Sequence, residues 1–540
     1  MIRDAGDSAL VFELEPRVDL EVNARAVGIA DAVRRAAIPG VRDVVSTYRS
    51  AAVFFDPLQT RLEAVAGALE TAARQAAPAR APARVEVPVA DGGAHGPDLP
   101  EIARRTGLTE AEVVRRHAAP PYRVFMLGFV PGFAYMGIVD ESIAVPRRDT
   151  PRLKVPAGSV AIAARQTGVY PQETPGGWQL LGRTRTRMFE PARTPAFLVG
   201  AGDEVRFVPV HSIEETGPAA PLRGAAPPVA TAGGLTVIAP GLLSTVQDLG
   251  RWGCQDRGVP VAGPMDPLAH RVANVAVGNP PGAATIEVTL VGPRLRFEQP
   301  AVFAVAGADL DARLDDRSVR PNVPVRAPAG GVLRFAGPAA GGARAYLAVS
   351  GGILTEPTMG SRATHVLSAM GGVAGRRLAA GDRLPLARDA AASSGRALGV
   401  PTRREGGRTR LRVLAGPQDD YFGAAGFERL EASPFTVSPQ SDRMAYRLTG
   451  AVIPRVPGRE MISDAMVFGG IQVPPSGEPI LLMADRQTSG GYPQIATVIA
   501  ADLPLAGQLA PGDTVEFAVC TRREAIAALI AQEGMLLALG

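Results

Sequence analysis

Apolar residues recur at helical spacing in only a few places along this chain. Residues 20–36 carry Val22, Ala26, Ile29 and Val33, and residues 61–76 carry Leu62, Val65, Leu69 and Ala72. Both sets fall on one face of a 3.6-residue period and predict two amphipathic helices. Between them, residues 41–55 are apolar on either side of a polar stretch at 46–50, which predicts two strands. The sum is a small α/β sandwich of ferredoxin-like type over residues 1–80, closed by a Pro/Ala/Arg linker at 78–84. Residues 98–118 predict two helices around Gly107, the second capped by Thr109. The same stretch mimics a DNA-binding helix-turn-helix, but without a basic context an ordinary helical hairpin is the expectation. From 122 to 210 the apolar runs are short and cut by Gly and Pro, the pattern of strands and tight turns. Residues 211–234 are rich in Ala, Pro and Gly with no apolar period and read as a flexible linker. Strand-and-turn patterning then resumes, and a helix over 522–533 ends the pattern.

A repeat overlies this pattern. Arg165-Gln166-Thr167-Gly168-Val169-Tyr170-Pro171 returns as Arg486-Gln487-Thr488-Ser489-Gly490-Gly491-Tyr492-Pro493. Gly202-Asp203-Glu204-Val205 returns as Gly512-Asp513-Thr514-Val515, and Gly381-Asp382-Arg383-Leu384 is a weaker third copy. Ordered matches over such distances imply one β unit used more than once. The expected organisation is a small domain at 1–80, a β-barrel at 85–210, a linker at 211–234, a first β-barrel unit at 235–395 and a second at 396–540, with the split near 390–410.

Composition supports turn-rich β structure. The 540 residues include 61 Gly and 49 Pro, well above the usual share of roughly 12%. Of the 57 basic residues, 56 are Arg, and Lys154 is the single lysine. That excludes a Walker A loop, which needs a Gly-Lys-Ser/Thr step. It also excludes a biotinyl carrier lysine and an amidase Ser-Ser-Lys centre. If ATP is used, arginines and backbone N–H groups must hold it. The net charge of +4 is unpatterned and points to no nucleic acid. Cys254 and Cys520 have no metal spacing, and the five histidines form no ligand cluster, so no metal site is expected on the chain. Low cysteine usage predicts a reducing, cytoplasmic setting, and no apolar run is long enough to span a membrane.

Candidate chemistry collects in the Gly-rich turns. Residues 127–137 set Phe129, Phe133 and Tyr135 among Pro131 and Gly132, where glycine lets backbone approach a ligand and aromatics form walls. Pro156, Gly158, Ser159, Gln166, Tyr170, Gly177, Trp178 and Arg183 follow in the same half. The second half supplies Gln247, Asp248, Arg251, Met265, Asp266, Asp309, Arg344, Gly351, Gly352, Arg443, Asp485, Arg486, Gln487, Thr488 and Tyr492. No Ser-His-Asp or Cys-His arrangement stands out.

These phrases resemble a known family. Gly96-Pro97-Asp98-Leu99, the aromatic stretch at 128–137, Thr150-Pro151-Arg152, and residues 155–159, 166–171 and 175–184 resemble the PxpB (KipI) subunit of bacterial 5-oxoprolinase. Residues 241–251, Gly263-Pro264-Met265-Asp266, Val277-Gly278-Asn279, and residues 307–310, 344–352, 441–443, 471–474 and 485–493 resemble PxpC (KipA). These subunits are also labelled allophanate hydrolase subunits 1 and 2. The resemblance implies a mainly β chain with α+β parts: cyclophilin-like barrels in tandem after the small domain. It further implies a cytoplasmic component that opens 5-oxoproline to glutamate with ATP, accompanied by Mg, beside a LamB/YcsF-type subunit. Homo-oligomers fit the same picture. In that frame Arg443 and Arg486 are expected to clamp phosphate or carboxylate, and Asp485 or Asp309 to orient water or metal. The aromatic rim and Trp178 would wall the pocket. Two alternatives come with the family: a carboxyltransferase-like module served by a separate biotinylated partner, and a KipI/KipA-type regulator of a sensor histidine kinase.

Overall fold

The computed structural model describes residues 1–75, 81–217, 233–338, 340–387, 408–459 and 461–539. The expected chain split near 390–410 and most of the expected linker fall outside these residues. The small domain is a four-stranded antiparallel sheet, Ile2–Asp4, Ala9–Glu13, Ser50–Phe55 and Val41–Ser46 in spatial order. Helices Leu20–Arg35 and Leu62–Arg74 pack on it. The predicted apolar positions Val22, Ala26, Ile29, Val33, Val65, Leu69 and Ala72 are buried, Leu62 is partly so, and Asn23, Val27, Gly28 and Ala30 are buried beside them. The sandwich is as expected, but its connectivity is strand–strand–helix twice over, because the chain opens with a hairpin before the first helix.

Two closed seven-stranded barrels follow the repeat. The first contains strands Arg84–Asp91 through Glu204–Val210, the second Arg408–Ala415 through Thr514–Val519. Each closes by the same device: its first and last strands pair in parallel, Val87 opposite Phe207 and Leu411 opposite Phe517. The Gly-Asp phrase explains the closure. Gly202 and Gly512 take φ of +91° and +89°, a left-handed turn open to glycine at little cost. Asp203 and Asp513 each accept from the backbone N–H three residues earlier at 2.7 Å. The third copy folds identically: Gly381 has φ +89° and Asp382 accepts from Ala379 N at 2.7 Å. The predicted hairpin, inserted between the first barrel's strands Arg84–Asp91 and Tyr122–Leu127, is helices Leu99–Thr106 and Glu110–Ala118, with Gly107 left-handed between them and Thr109 Oγ1 accepting from Glu112 N.

The unit expected at 235–395 as a barrel is instead two sheets, of six and five strands, among the described residues. Their facing sides share one core that includes Leu235, Ile286, Phe297, Phe303, Leu333 and Leu347. The long strands Ala301–Asp309 and Ala340–Val349 pair along most of their length. The six-stranded sheet ends at two-residue strands, Arg317–Ser318 and Arg383–Leu384, so this sheet stays open. Helix Arg522–Leu539 ends the fold, extending past the predicted limit and tied to helix Pro267–Ala276 by the bidentate Arg271–Glu533 pair. No helix is long and apolar enough to cross a membrane among the described residues.

Candidate active site at the junction of the two halves

Glycine decides where the halves meet. The turn at 253–259, ahead of Gly263-Pro264, crosses from the two-sheet unit to the first barrel. Gly132 N donates to Arg257 O at 3.1 Å, and Leu127 and Arg257 form a parallel bridge. Gly258 has φ +75°, and a Cβ there would lie 2.7 Å from Val130 O. Val259 and Met370 bury themselves in the first barrel's core. On the other side a Cβ on Gly128 would fall 1.8 Å from Ser489 Oγ. The aromatic glycine loop of the first barrel therefore lies directly on the Arg-Gln-Thr-Ser-Gly phrase of the second. The small domain braces the same region. Asn23 Nδ2 donates to Thr47 O and Phe125 O, and Ser50 Oγ donates to the buried Asp464 at 2.5 Å.

At the centre is a buried ionic network. Arg443 forms a two-pronged pair with Asp485, Nε and Nη2 donating at 2.9 Å each. It also donates to Glu287 and, at 2.7 Å, to Gly263 O. Burial opposes its charge, but Asp485 and Glu287 outweigh that and hold the guanidinium protonated. Glu287 also accepts from Met265 N at 2.9 Å and Tyr346 Oη at 2.7 Å. Tyr346 Oη in turn accepts from Asp266 N at 2.8 Å. Asp266 accepts from Ala269 N and from Gln508, which also bonds the backbone of Arg344. Arg344 Nη1 reaches Gly507 O at 2.6 Å and Tyr446 Oη at 2.9 Å, locking the two-sheet unit to the second barrel.

Two other buried guanidiniums have no such carboxylate. Arg486 donates to Met466 O and to Gln255 Oε1 at 3.1 Å, and burial pulls its pKa down to about 10. Arg251, 1% exposed, donates only to the carbonyls of Thr358, Ser361 and Ala363. Asp248 holds the same loop by accepting from Ser361 Oγ at 2.6 Å and Arg362 N at 2.6 Å. Around these lie buried polar atoms without a hydrogen-bond partner: Arg251 Nη1, Gln247 Oε1, His365 Nδ1, Thr488 Oγ1 and Ser489 Oγ. Native interiors leave few such atoms unmatched. These five lie on the segments that meet at the junction, and others are spread over the rest of the chain.

The remaining predicted residues divide by position. Phe133 packs against Phe129, Tyr135, Tyr170 and Trp178, with centroids 4.8–5.7 Å apart and steeply inclined. These rings form a cluster of their own on the face of the strands opposite the barrel core, beside the glycine loop, and brace Tyr135 against Tyr48 of the small domain. Phe129 itself is left-handed at φ +66°, held by the flanking Val130 N to Gly128 O bond. Pro131 and Gly132 are buried in that loop, and Gln166 starts strand Gln166–Val169 beside it. Pro156, Gly158 and Ser159 form the turn between strands Arg152–Val155 and Ser159–Ala163, in which Ser159 Oγ donates to Pro156 O. Arg183 donates to Ala157 O, and Gly177 O accepts from Arg148 N. Gly351 and Gly352 form a turn fixed by Asn279. Asp309 accepts from Asp311 N at 2.9 Å at the end of its strand, a turn-forming bond apart from the Arg443 network. Gln487 is half-buried, and Tyr492 is exposed.

Sequence reasoning passed over Glu287, Gln255, Gly258, His365 and Asp43. Glu287 is the charged residue of strand Thr285–Thr289, between Ile286 and Val288, and a charge flanked by apolar residues there was the available sign. Asp43 accepts from Gly253 N and Gln255 N at 3.0 Å each and so pins the crossing turn to the small domain. Burial, reinforced by Asp256, raises its pKa to about 6. The folded state then holds this proton more tightly than the unfolded chain does. The stabilisation is complete below about pH 4 and is lost as pH rises through about 6, a difference of up to about 3 kcal/mol. Asp43→Asn is expected to remove that dependence. Denaturant unfolding of both proteins at about pH 3.5 and about pH 7.5, on either side of that window, checks this. Equal pH slopes would contradict it.

Comparison with known proteins adds two family matches, two relatives and one solved structure. The family described as "Carboxyltransferase domain, subdomain C and D" matches residues 1–199, and "Carboxyltransferase domain, subdomain A and B" matches residues 257–519. The C-type subunit of 5-oxoprolinase from Escherichia coli K12 is 40% identical over 294 residues, 54% of this chain and 94% of that protein. The B-type subunit of 5-oxoprolinase from Escherichia coli O157:H7 is 42% identical over 220 residues, 38% of this chain and 93% of that protein. The crystal structure of TTHA0988 superposes with a TM-score of 0.85 at 36% identity, covering 96% of this chain and 100% of that one.

Proposed function

This chain belongs to the carboxyltransferase-domain family of the B-type and C-type 5-oxoprolinase subunits, both carried on one polypeptide, and we propose that it is the fused B and C component of an ATP-dependent 5-oxoprolinase. The observation that carries the reading is the junction: the B-like and C-like halves put their matched phrases in contact around buried, unpartnered polar groups. A lactam carbonyl is a weak electrophile. Transfer of the ATP γ-phosphoryl to its oxygen creates a leaving group. Water then adds at that carbon, the ring nitrogen takes a proton as the C–N bond opens to a γ-glutamyl phosphate, and a second water attacks the acyl carbon and displaces phosphate to leave glutamate. Arg251 and Arg486 are buried cations at the junction with no bonded carboxylate among the described residues, suited to the charge that develops on oxygen and phosphoryl. Arg443 is engaged by Asp485, Glu287 and Gly263, so it frames the site.

Among the described residues no group of three or more His, Cys, Asp or Glu could hold a metal. Mg would therefore enter on the nucleotide, held mainly by phosphate oxygens and water. The reading includes a LamB/YcsF-type third subunit. ADP release and glutamate formation are measured with and without that subunit and with and without 5-oxoproline. Equal amounts of both products, only in the complete mixture, are expected. ADP release indifferent to 5-oxoproline would refute the assignment. The family's description as carboxyltransferase domains supports one alternative, carboxyl transfer from a separate biotinylated partner.

A further inference from the structure

His365 stands at the junction without a task in the network described above. Its side chain is 2% exposed. Reciprocal backbone hydrogen bonds with Met370 fix its loop, His365 N to Met370 O at 2.9 Å and Met370 N to His365 O at 3.2 Å. Met370 is anchored in the first barrel's core, so both halves of the molecule determine where the ring sits. The charged groups facing it are Asp485, Arg443 and Arg251, and the backbone carbonyl of Asp485 lies against the ring. Burial disfavours the imidazolium, and the two guanidiniums oppose a third positive charge. A neutral imidazole offers one N–H donor and one lone pair. Its Nδ1 has no partner, and neither does the nearby donor Arg251 Nη1. An acceptor and a donor left unmatched in one buried region are satisfied together by a ligand whose N–H adjoins a carbonyl.

We propose that His365 Nδ1, with the ring proton on Nε2, accepts the N–H of an amide-type ligand while Arg251 Nη1 donates to the adjoining carbonyl oxygen. The junction is then selective for lactams and ureas over lactones and esters. The choice of 5-oxoproline as first probe rests on the lactam reading above; the pairing of His365 with Arg251 does not. A site that hydrogen-bonds an N–H strongly rejects an analogue lacking it, because the buried acceptor then faces another lone pair.

The test titrates the intact chain, alone and with the LamB/YcsF-type subunit, with three probes. They are 5-oxoproline, its γ-lactone counterpart with oxygen in place of the ring N–H, and urea. Wild type is expected to prefer the lactam over the lactone on the order of 100-fold. His365→Phe is expected to bring the two within about 3-fold of each other, and His365→Gln, which keeps an acceptor oxygen, to fall between. Equal binding of lactam and lactone by wild type overturns the proposal whatever the variants do. Turnover of 5-oxoproline with undiminished discrimination in a folded His365→Phe protein also overturns it, and leaves the lactam reading standing. Binding of urea but not 5-oxoproline, weakened by His365→Phe, removes the lactam reading and sustains the role of His365. Failure of all three probes to bind wild type overturns the proposal.

Discussion

Alanine at Arg443 is expected to cost about 3–5 kcal/mol of stability and to abolish turnover by the assembled enzyme. The size follows from what is left behind. Asp485 and Glu287 are 8% and 1% exposed, and both point at the guanidinium. Removing it strands two carboxylates away from water, the costly way to break a buried ion pair. Glu287 keeps Met265 N and Tyr346 Oη, but these neutral donors do not neutralise it. Arg443→Lys should recover only part of the loss, since an ammonium cannot reproduce the planar two-pronged bond to Asp485. Adding Asp485→Asn to Arg443→Ala should restore stability by removing one stranded charge, without restoring activity. Denaturant unfolding of the three proteins reads this directly. A loss under about 1 kcal/mol for Arg443→Ala would mean the network contributes little.

Valine at Gly258 is expected to produce the second-largest effect, by a different route. The left-handed backbone at φ +75° costs a branched residue about 1–3 kcal/mol. The added carbon also meets Val130 O at 2.7 Å and Gly128 Cα at 3.2 Å, backbone that cannot rotate away. The clash lies between the halves rather than inside either one. Turnover should therefore fall at least 100-fold, while each barrel keeps its core. Near-wild-type activity would show that contact between the glycine loop and the crossing turn is not required.

The parts legible in the sequence are those set by local rules. The small-domain helices followed from apolar spacing, and the three closing turns from Gly-Asp phrases that fold alike at Asp203, Asp382 and Asp513. The open form of the two-sheet unit was not legible, because a third turn of the same kind does not determine whether the edge strands meet. For the site, phrases were readable but partners were not. Arg443 and Asp485 each stood out, yet Glu287 lies 156 residues from Arg443 and its role exists only through packing. The aromatic stretch at 128–137 stood out as a group of rings, but their edge-to-face packing on Phe133 exists only through the fold. His365 carries no local motif. Its importance appears only once Met370 is seen anchored in the first barrel.

The most direct test of ATP-coupled lactam opening at this junction follows the lactam oxygen. 5-Oxoproline labelled with heavy oxygen at the ring carbonyl is turned over with ATP by the chain and its LamB/YcsF-type partner, and inorganic phosphate is analysed by mass. If the carbonyl oxygen receives the phosphoryl group and leaves with it, the label appears in phosphate, one atom for each glutamate formed. Unlabelled phosphate, with all the label retained in glutamate, would contradict the account.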